Sequence, residues 1–346
     1  MDPELIRQQL FSHKLRVVRG VSPKDAEEKF CPLDLRSITP RASLTFPLFL
    51  KVINPSDNTL GYLLLCAPGE VFQEDWLTRL REMKIDRLYF HYDAIDQVIV
   101  HLNDFLTVLE LQDQDTSKEK LEIFYEHMNL TLMRAWNAPR LGPHIHSVIR
   151  QVEWIIRELQ QKELPFYLLW DILLKNYTVY NHAVNVFLIS LGFMLFTRSD
   201  HYDCRNMAIG ALFHDVGLGR LPQDVLLKPA PLNPEEWTEV RKHPRMGYEL
   251  LRDCTEFPAD SLQLVLEHHE NADGSGYPLE LPLKRQHPNS RILRLVDAYD
   301  ALTCNRPYRP AQGVFGALKT IRSQEGPKGP VFDHQVLARF IQFLAV

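Results

Sequence analysis

Apolar and polar positions follow two different rhythms along this chain. Leu44 to Ile53 and Leu60 to Cys66 are short runs rich in Leu, Phe and Val, which predicts two strands. Asn54-Pro55-Ser56-Asp57-Asn58 between them is turn material, and Ala67-Pro68-Gly69 breaks the second run. Over Phe72 to Met83 the rhythm changes. Phe72, Trp76, Leu77 and Leu80 fall on one face of a helix, and Ile85 to His91 returns to a strand. Residues 1–103 therefore read as a small β-β-α-β module, regulatory or structural in role, with the first 40 residues unassigned. Helical periodicity starts near Ile95 and is interrupted by the polar stretch Gln112 to Ser117. It resumes as amphipathic segments over Lys118 to Trp136 and His144 to Gln161, a helical connector (104–164) or dimer contact. His144 and His146, two residues apart, point to different sides of that helix and read as surface residues.

From about residue 165 to 346 helix follows helix with short loops. Asn233-Pro234-Glu235-Glu236 is a strong helix start, with Asn as N-cap, Pro at N1 and Glu at N3. The expected fold class is mainly α: an all-helical C-terminal domain preceded by a small α+β module and a helical connector. The 346 residues suffice for about two domains. A net charge of −5 supplies no global positive field for DNA or a membrane surface. The five cysteines, at 31, 66, 204, 254 and 304, are widely spaced and read as free thiols of a reducing compartment. The start lacks the apolar core of a signal peptide, and the apolar run Val186 to Phe196 is short for a bilayer. A cytoplasmic location is expected.

The chemistry is concentrated in the second half. His268-His269-Glu270 ends the apolar run Leu262 to Leu266 and leads into a tight loop, Asn271 to Pro278, with two glycines and a proline. Neighbours on a helix point about 100° apart, so two adjacent imidazoles suit two ions side by side better than one. Further ligand types stand at or near the ends of other apolar helices. His182 opens one, His214-Asp215 closes another, His243 precedes Pro244, and Asp297 lies on the helix Arg291 to Leu302. Imidazole and carboxylate suit Fe, Mn, Zn or Ni, and the lack of thiolates argues against a structural zinc site. A carboxylate can bridge two ions about 3.5–4 Å apart, which can hold a hydroxide and clamp a phosphoryl group. Phosphoester hydrolysis is the matching reaction class.

About half the chain, from residue 165 on, resembles the HD-GYP family, a branch of the HD-domain metal phosphohydrolases. The resemblance is carried, in family order, by six stretches. They are Tyr177 to His182; His214-Asp215-Val216-Gly217; Leu221 to Lys228; Glu236-Trp237 through His243-Pro244; His268 to Pro278 with its Gly276-Tyr277-Pro278; and Arg291 to Thr303 with Arg306-Pro307-Tyr308-Arg309. It implies hydrolysis of cyclic di-GMP to pGpG or GMP through a metal-bridging hydroxide, with two divalent ions, Fe or Mn before Zn or Ni. It implies His182, His214, Asp215, His243, His268, His269 and Asp297 as ligands, with His214 and Asp215 at the catalytic centre and Asp215 bridging. It places Asp300, Arg306 and Arg309 on the substrate side. Gly276, Tyr277 and Pro278 form the signature loop, which shapes the site edge or offers a surface to a signalling partner. A homodimer is a further expectation.

Three positions depart from the family pattern. A lysine usually follows His-Asp-x-Gly, and here the residue is Leu218, with Arg220 two further on. Members with three metals carry a glutamate four residues before the first histidine, where this chain has Thr178. The glycine that often follows the signature loop is missing from Leu279-Glu280-Leu281-Pro282. The intact ligand set favours an enzyme. Leu218 leaves as alternative a weak or inactive domain acting as cyclic di-GMP sensor or protein-interaction module.

Overall fold

The structure is a computed structural model that describes residues 17–18, 29–53, 60–110, 117–138, 142–161, 167–173, 178–226, 228, 230–306 and 309–345. The expected turn Asn54 to Asn58, most of the polar break Gln112 to Ser117, and Tyr177, Leu227, Pro307 and Tyr308 lie outside the described residues. The chain divides into two compact units, 1–130 and 131–346. The stretch 104–164, expected as a connector, is split between them.

The N-terminal unit holds a five-stranded sheet of β1 (Val17–Val18), β2 (Phe30–Asp34), β3 (Leu48–Ile53), β4 (Leu60–Cys66) and β5 (Arg87–His91). The order is β1-β4-β3-β5-β2 and the pairings are antiparallel, with Leu50 opposite Leu63 and Cys31 opposite Phe90. The three expected strands form its middle. The pattern missed β2 because Pro32 stands in its centre, and proline is tolerated there since β2 is an edge strand. On one face Phe30 stacks on Tyr62 with ring centroids 3.9 Å apart and meets Phe49 edge-on at 5.1 Å. Helix α1 (Glu74–Glu82) and helix α2 (Ile95–Glu110) bury Leu77 and Leu80, and Val98, Leu102 and Leu106. Helix α3 (Ser117–Trp136) begins in this unit, where the Glu126 carboxylate accepts from Asp34 N at 3.0 Å and Arg36 pairs with Glu122 at 2.6 Å.

The C-terminal unit is helical apart from a two-residue hairpin, β6 (Glu325–Gly326) with β7 (Gly329–Pro330). Its helices are α4 (Gly142–Gln161), α5 (Tyr167–Ile172), α6 (Val179–Phe196), α7 (His201–Phe213), α8 (Gln223–Leu226), α9 (Pro234–Val240), α10 (His243–Leu251), α11 (Ala259–Glu267), α12 (Pro288–Thr303), α13 (Val314–Arg322) and α14 (His334–Leu344). Helix α6 is apolar nearly all round, and every residue from His182 to Met194 is buried. By length and composition it could cross a membrane, yet 72% of that window is buried inside the protein, as in a core helix. Helices α7 and α12 pack on it, and α11 packs on α7. Arg205 and His201 of α7 both reach Glu153 of α4, at 2.7 and 2.9 Å. The capping box expected at Asn233 is present, with Glu236 N donating to Asn233 and Asn233 N to Glu236, both at 2.8 Å. His146 is exposed and 3.2 Å from Glu256, as a surface histidine should be.

Candidate active site

The C-terminal unit brings its ligand-type side chains together because each stands at a helix end or on a helix face turned inward. His182 lies in the first turn of α6, and Thr178 caps that helix by accepting from Asn181 N at 3.0 Å. His214 and Asp215 follow the last turn of α7, and a 3-10 turn, Val216–Arg220, carries the chain away. His243 opens α10, His268 and His269 follow α11, and Asp297 sits midway along α12. His182, His214, Asp215, His243, His268 and Asp297 are all buried.

The packing of the 3-10 turn on α10 sets Asp215 against His243. It rests on Gly217, where a Cβ would overlap the His243 carbonyl oxygen and come within 2.7 Å of Gly247 N. Asp215 Oδ1 lies 3.1 Å from His243 Nε2 and 3.7 Å from His268 Nε2. Its Oδ2 lies 3.4 Å from His214 Nε2 and 3.8 Å from His182 Nε2. One carboxylate thus serves two groups of donor atoms: Asp215 with His243, His268 and His269, and Asp215 with His182 and His214. Asp297 ties the two together, 3.1 Å from His182 Nε2 and 3.8 Å from His269 Nδ1. One expectation is corrected here. His268 and His269 fall in the same group, because both lie beyond the last turn of α11, where helical spacing no longer separates them.

The proton positions show that this donor set fits divalent cations. The Nδ1 atoms of His214, His243 and His268 face the carbonyls of Ala211, Val240 and Val265 at 2.7, 2.7 and 2.8 Å. A carbonyl only accepts, so each Nδ1 carries a proton and Nε2 is the ring nitrogen turned toward Asp215. The Nε2 atoms of His243 and His268 stand 3.0 Å apart, and two lone pairs at that distance repel unless a cation lies between or beside them. Among the described residues the buried Nε2 of His214 has no hydrogen-bond partner. Burial drives the His268 pKa down to about 4 and that of His269 well below its ordinary value, so both are neutral ligands at neutral pH. Burial opposes ionisation of Asp215, but the positive charge of His214 beside it holds its pKa well below the usual carboxylate range. The unit is built to bind divalent metal.

Asp300 differs from its expected place at the substrate. Its side chain is 3% exposed, and Oδ2 lies 2.7 Å from His182 Nδ1 while Oδ1 accepts from Asn185 Nδ2 at 2.9 Å. Burial disfavours the His182 cation, but bonds to Asp297 and Asp300 outweigh it and raise its pKa to about 10. With a metal on Nε2, His182 would keep its Nδ1–H on Asp300, the carboxylate–histidine–metal arrangement that fixes ring orientation. Asp300 is three residues from Asp297 and Asn185 three from His182, a spacing that puts each on its ligand's helix face and could have revealed the support. Asp300→Asn should therefore weaken metal binding by about tenfold to a hundredfold. Competition against a chelator measures this, and an unchanged affinity would remove Asp300 from the support of His182.

The loop after His269 is held by its own side chains. A Cβ on Gly276 would overlap Asn271 N and lie 2.5 Å from His269 O, so only glycine fits. Tyr277 stacks on the His269 ring, centroids 4.8 Å apart, which connects the loop to a ligand. Glu270 accepts from Leu279 N at 2.7 Å and Leu281 N at 2.9 Å, and Glu280 lies between. Glu280 has φ +51°, the left-handed conformation natural to the glycine that the family pattern has nearby. The loop thus keeps a tight turn without its glycine, at a cost in strain. Glu280→Gly should stabilise the protein by up to about 1 kcal/mol and raise its melting temperature by a few degrees, with a fall excluding the strain.

The two arginines after α12 are placed differently. Arg306 and Arg309 exchange backbone hydrogen bonds at 2.9 and 3.0 Å. An Nη of Arg309 donates to the Ala301 carbonyl in the last turn of α12, so that part of its fork ties the loop to the helix. Leu218 is 9% exposed and Arg220 points to solvent as an exposed residue. The residue that the sequence pattern concealed is Arg294, whose Nη1 is 4.0 Å from Asp297 Oδ2.

Fold and site together define a helical, divalent-metal-binding domain with two donor groups sharing one aspartate. The profile of the HD domain family matches residues 173–334. The cyclic di-GMP phosphodiesterase PA4108 of Pseudomonas aeruginosa is 30% identical over 285 residues, 78% of this chain and 67% of that one. The cyclic di-GMP phosphodiesterase response regulator RpfG of Xanthomonas campestris is 38% identical over 125 residues, and the match spans only 33% of its length. The 3'3'-cGAMP-specific phosphodiesterase 2 of Vibrio cholerae is 36% identical over 135 residues, 26% of its length. Among solved structures, Bd1817, a HDG"Y"P protein from Bdellovibrio bacteriovorus, shares the fold with a TM-score of 0.67 at 16% identity, covering 92% of this chain and 100% of that one. The chain belongs to the HD-GYP family of HD-domain metal-dependent phosphohydrolases.

Proposed function

We propose that the protein is a phosphodiesterase that hydrolyses cyclic di-GMP to pGpG, GMP or both. The observation that carries this reading is Asp215, with one oxygen toward His243 and His268 and the other toward His214 and His182. A carboxylate in that position would hold two divalent cations together with the histidines around it, and such ions would lower the pKa of water and neutralise charge on a phosphodiester. We assign two divalent transition-metal ions, Fe or Mn before Zn or Ni as the family resemblance implies, and the nitrogen and carboxylate donors without thiolate suit all four. Thr178, engaged as a helix cap, supplies no carboxylate for a third ion.

The chain's own groups bind and orient. The imidazoles of His214, His243 and His268 are locked by their carbonyl partners with Nε2 inward. His182 is locked by Asp300, so the donor set is formed before substrate arrives. Arg306 is assigned to a phosphate of the substrate, and Arg309 to the same loop, with one donor on Ala301. Tyr277, stacked on His269, forms the site's edge. All five cysteines are free thiols, in keeping with a cytoplasmic protein.

The reading is tested by turnover of cyclic di-GMP beside 3'3'-cGAMP, with Mn(II) or Fe(II) and after chelation. Cleavage of cyclic di-GMP that is lost on chelation and restored by metal is expected. Metal-dependent cleavage of 3'3'-cGAMP alone would move the protein to the other substrate, and cleavage of neither would refute the reading.

A further inference from the structure

Arg294 brings a desolvated cation to the edge of the donor set, and its environment fixes the guanidinium without using it up. Its Nε donates to Asn271 Oδ1 at 3.3 Å, and the guanidinium carbon lies 4.8 Å over the centre of the Phe332 ring. Phe332 is itself 3% exposed, so the plane rests on a fixed support. A guanidinium carries five N–H donors, of which Asn271 takes one. Nη1 is 4.0 Å from Asp297 Oδ2, within ion-pair range but beyond hydrogen-bond reach. Among the described residues the terminal nitrogens have no hydrogen-bond partner. The side chain is 18% exposed, so these donors are open to a ligand.

The direction of the fork matters. The Asp297 oxygen nearest to Nη1 is the one 3.8 Å from His269 Nδ1. Arg294 thus lies just across Asp297 from a donor-set imidazole. Tyr277, stacked on that same imidazole, has Arg241 5.4 Å over its ring, while Arg241 itself is exposed. Opposite charge is in short supply for Arg294. Among the described residues Asp297 is its one carboxylate partner, and Asp297 already accepts from His182 at 3.1 Å. Position 218 on the other bridging segment is a leucine and offers no charge.

We propose that Arg294 is a phosphate-binding residue of this site, with its terminal nitrogens forming a two-pronged hydrogen bond to oxygens of the scissile phosphodiester. The planar fork matches two phosphate oxygens, and a partly buried cation is more weakly screened than one in water. Asn271 and Phe332 orient the plane and Asp297 keeps the charge near the donor set. Arg294 contributes a pre-set positive charge where the phosphorane-like transition state gains negative charge. The assignment rests on the phosphodiesterase reading for the identity of the substrate, but the anion chemistry of the fork does not depend on it.

Two probes separate the two claims: cyclic di-GMP, and inorganic phosphate, each measured by calorimetry on metal-loaded and on chelator-treated protein. Arg294→Gln should weaken cyclic di-GMP binding by about tenfold to a hundredfold in both forms, with a matching loss for phosphate in the metal-loaded form. Arg294→Lys keeps the charge but not the fork, and should fall between the two. In turnover, Arg294→Gln should raise KM and lower kcat, and a second change, Leu218→Lys, should return part of kcat. If wild type binds phosphate but neither binds nor cleaves cyclic di-GMP, the substrate reading fails while the phosphate comparison still decides Arg294. Equal binding of both probes by wild type and Arg294→Gln would overturn the proposal. If Arg294→Gln does not fold by circular dichroism, Arg294→Lys decides, and phosphate and cyclic di-GMP affinities equal to wild type in that variant would overturn it as well.

Discussion

Asp215→Asn should leave the protein folded but with at most one tightly held metal ion per chain, and turnover should fall by about a thousandfold or more. The size of the effect comes from geometry. Asp215 belongs to both donor groups, with Oδ1 at 3.1 Å from His243 and Oδ2 at 3.4 Å from His214. An amide keeps the shape but has a single carbonyl oxygen, so it can serve one group and turns an NH2 toward the other. His214, His243 and His268 remain held by their backbone carbonyls, which is why the site should keep its outline while losing its charge. Metal analysis after gel filtration and initial rates read the two outcomes. Two ions retained with near-normal turnover would mean that Asp215 does not join the groups.

Gly217→Ala should be the most damaging small change in the domain. The added methyl would overlap the His243 carbonyl and approach Gly247 N to 2.7 Å, and both are backbone atoms that cannot turn aside as a side chain would. Relief requires the 3-10 turn to move away from α10, which pulls Asp215 from His243. A loss of about 3–5 kcal/mol, or roughly 10 °C in melting temperature, is expected together with lost metal. Gly219, two residues on in the same turn, has nothing within 4 Å of an added Cβ. Gly219→Ala should therefore be near neutral. Equal tolerance of both changes would show that the turn and α10 are not packed this closely.

Several candidate ligands were legible in the sequence because they stand where an apolar helical run stops, at His214 and His268, or opens, at His182, whereas His243 opens a helix beside Pro244 and Asp297 lies within one. The supporting contacts were less visible. Arg294 and Asp297 are three apart, which reads as an exposed ion pair until burial of the helix face is known. Asp300 reads as one more polar residue beside the substrate, and only the packing of α12 on α6 turns it toward His182 Nδ1. The two edge strands escaped for different reasons. β1 has two residues and so no period, and β2 has a proline at its centre. The glycine that often follows the signature loop is missing, and in its neighbourhood Glu280 accepts the left-handed conformation while Glu270 ties down the amides on either side. Propensity gave way there to side-chain hydrogen bonding, which one-dimensional patterns do not report.

Metal content and hydrolysis measured on the same preparation test the two-ion phosphodiesterase site most directly. Protein purified without air and reconstituted with Fe(II) or Mn(II) should hold two ions per chain and hydrolyse cyclic di-GMP, and the rate should rise with filling of the second ion. Two ions per chain with no hydrolysis of cyclic di-GMP would contradict it and leave a metal-holding domain that senses or binds a partner.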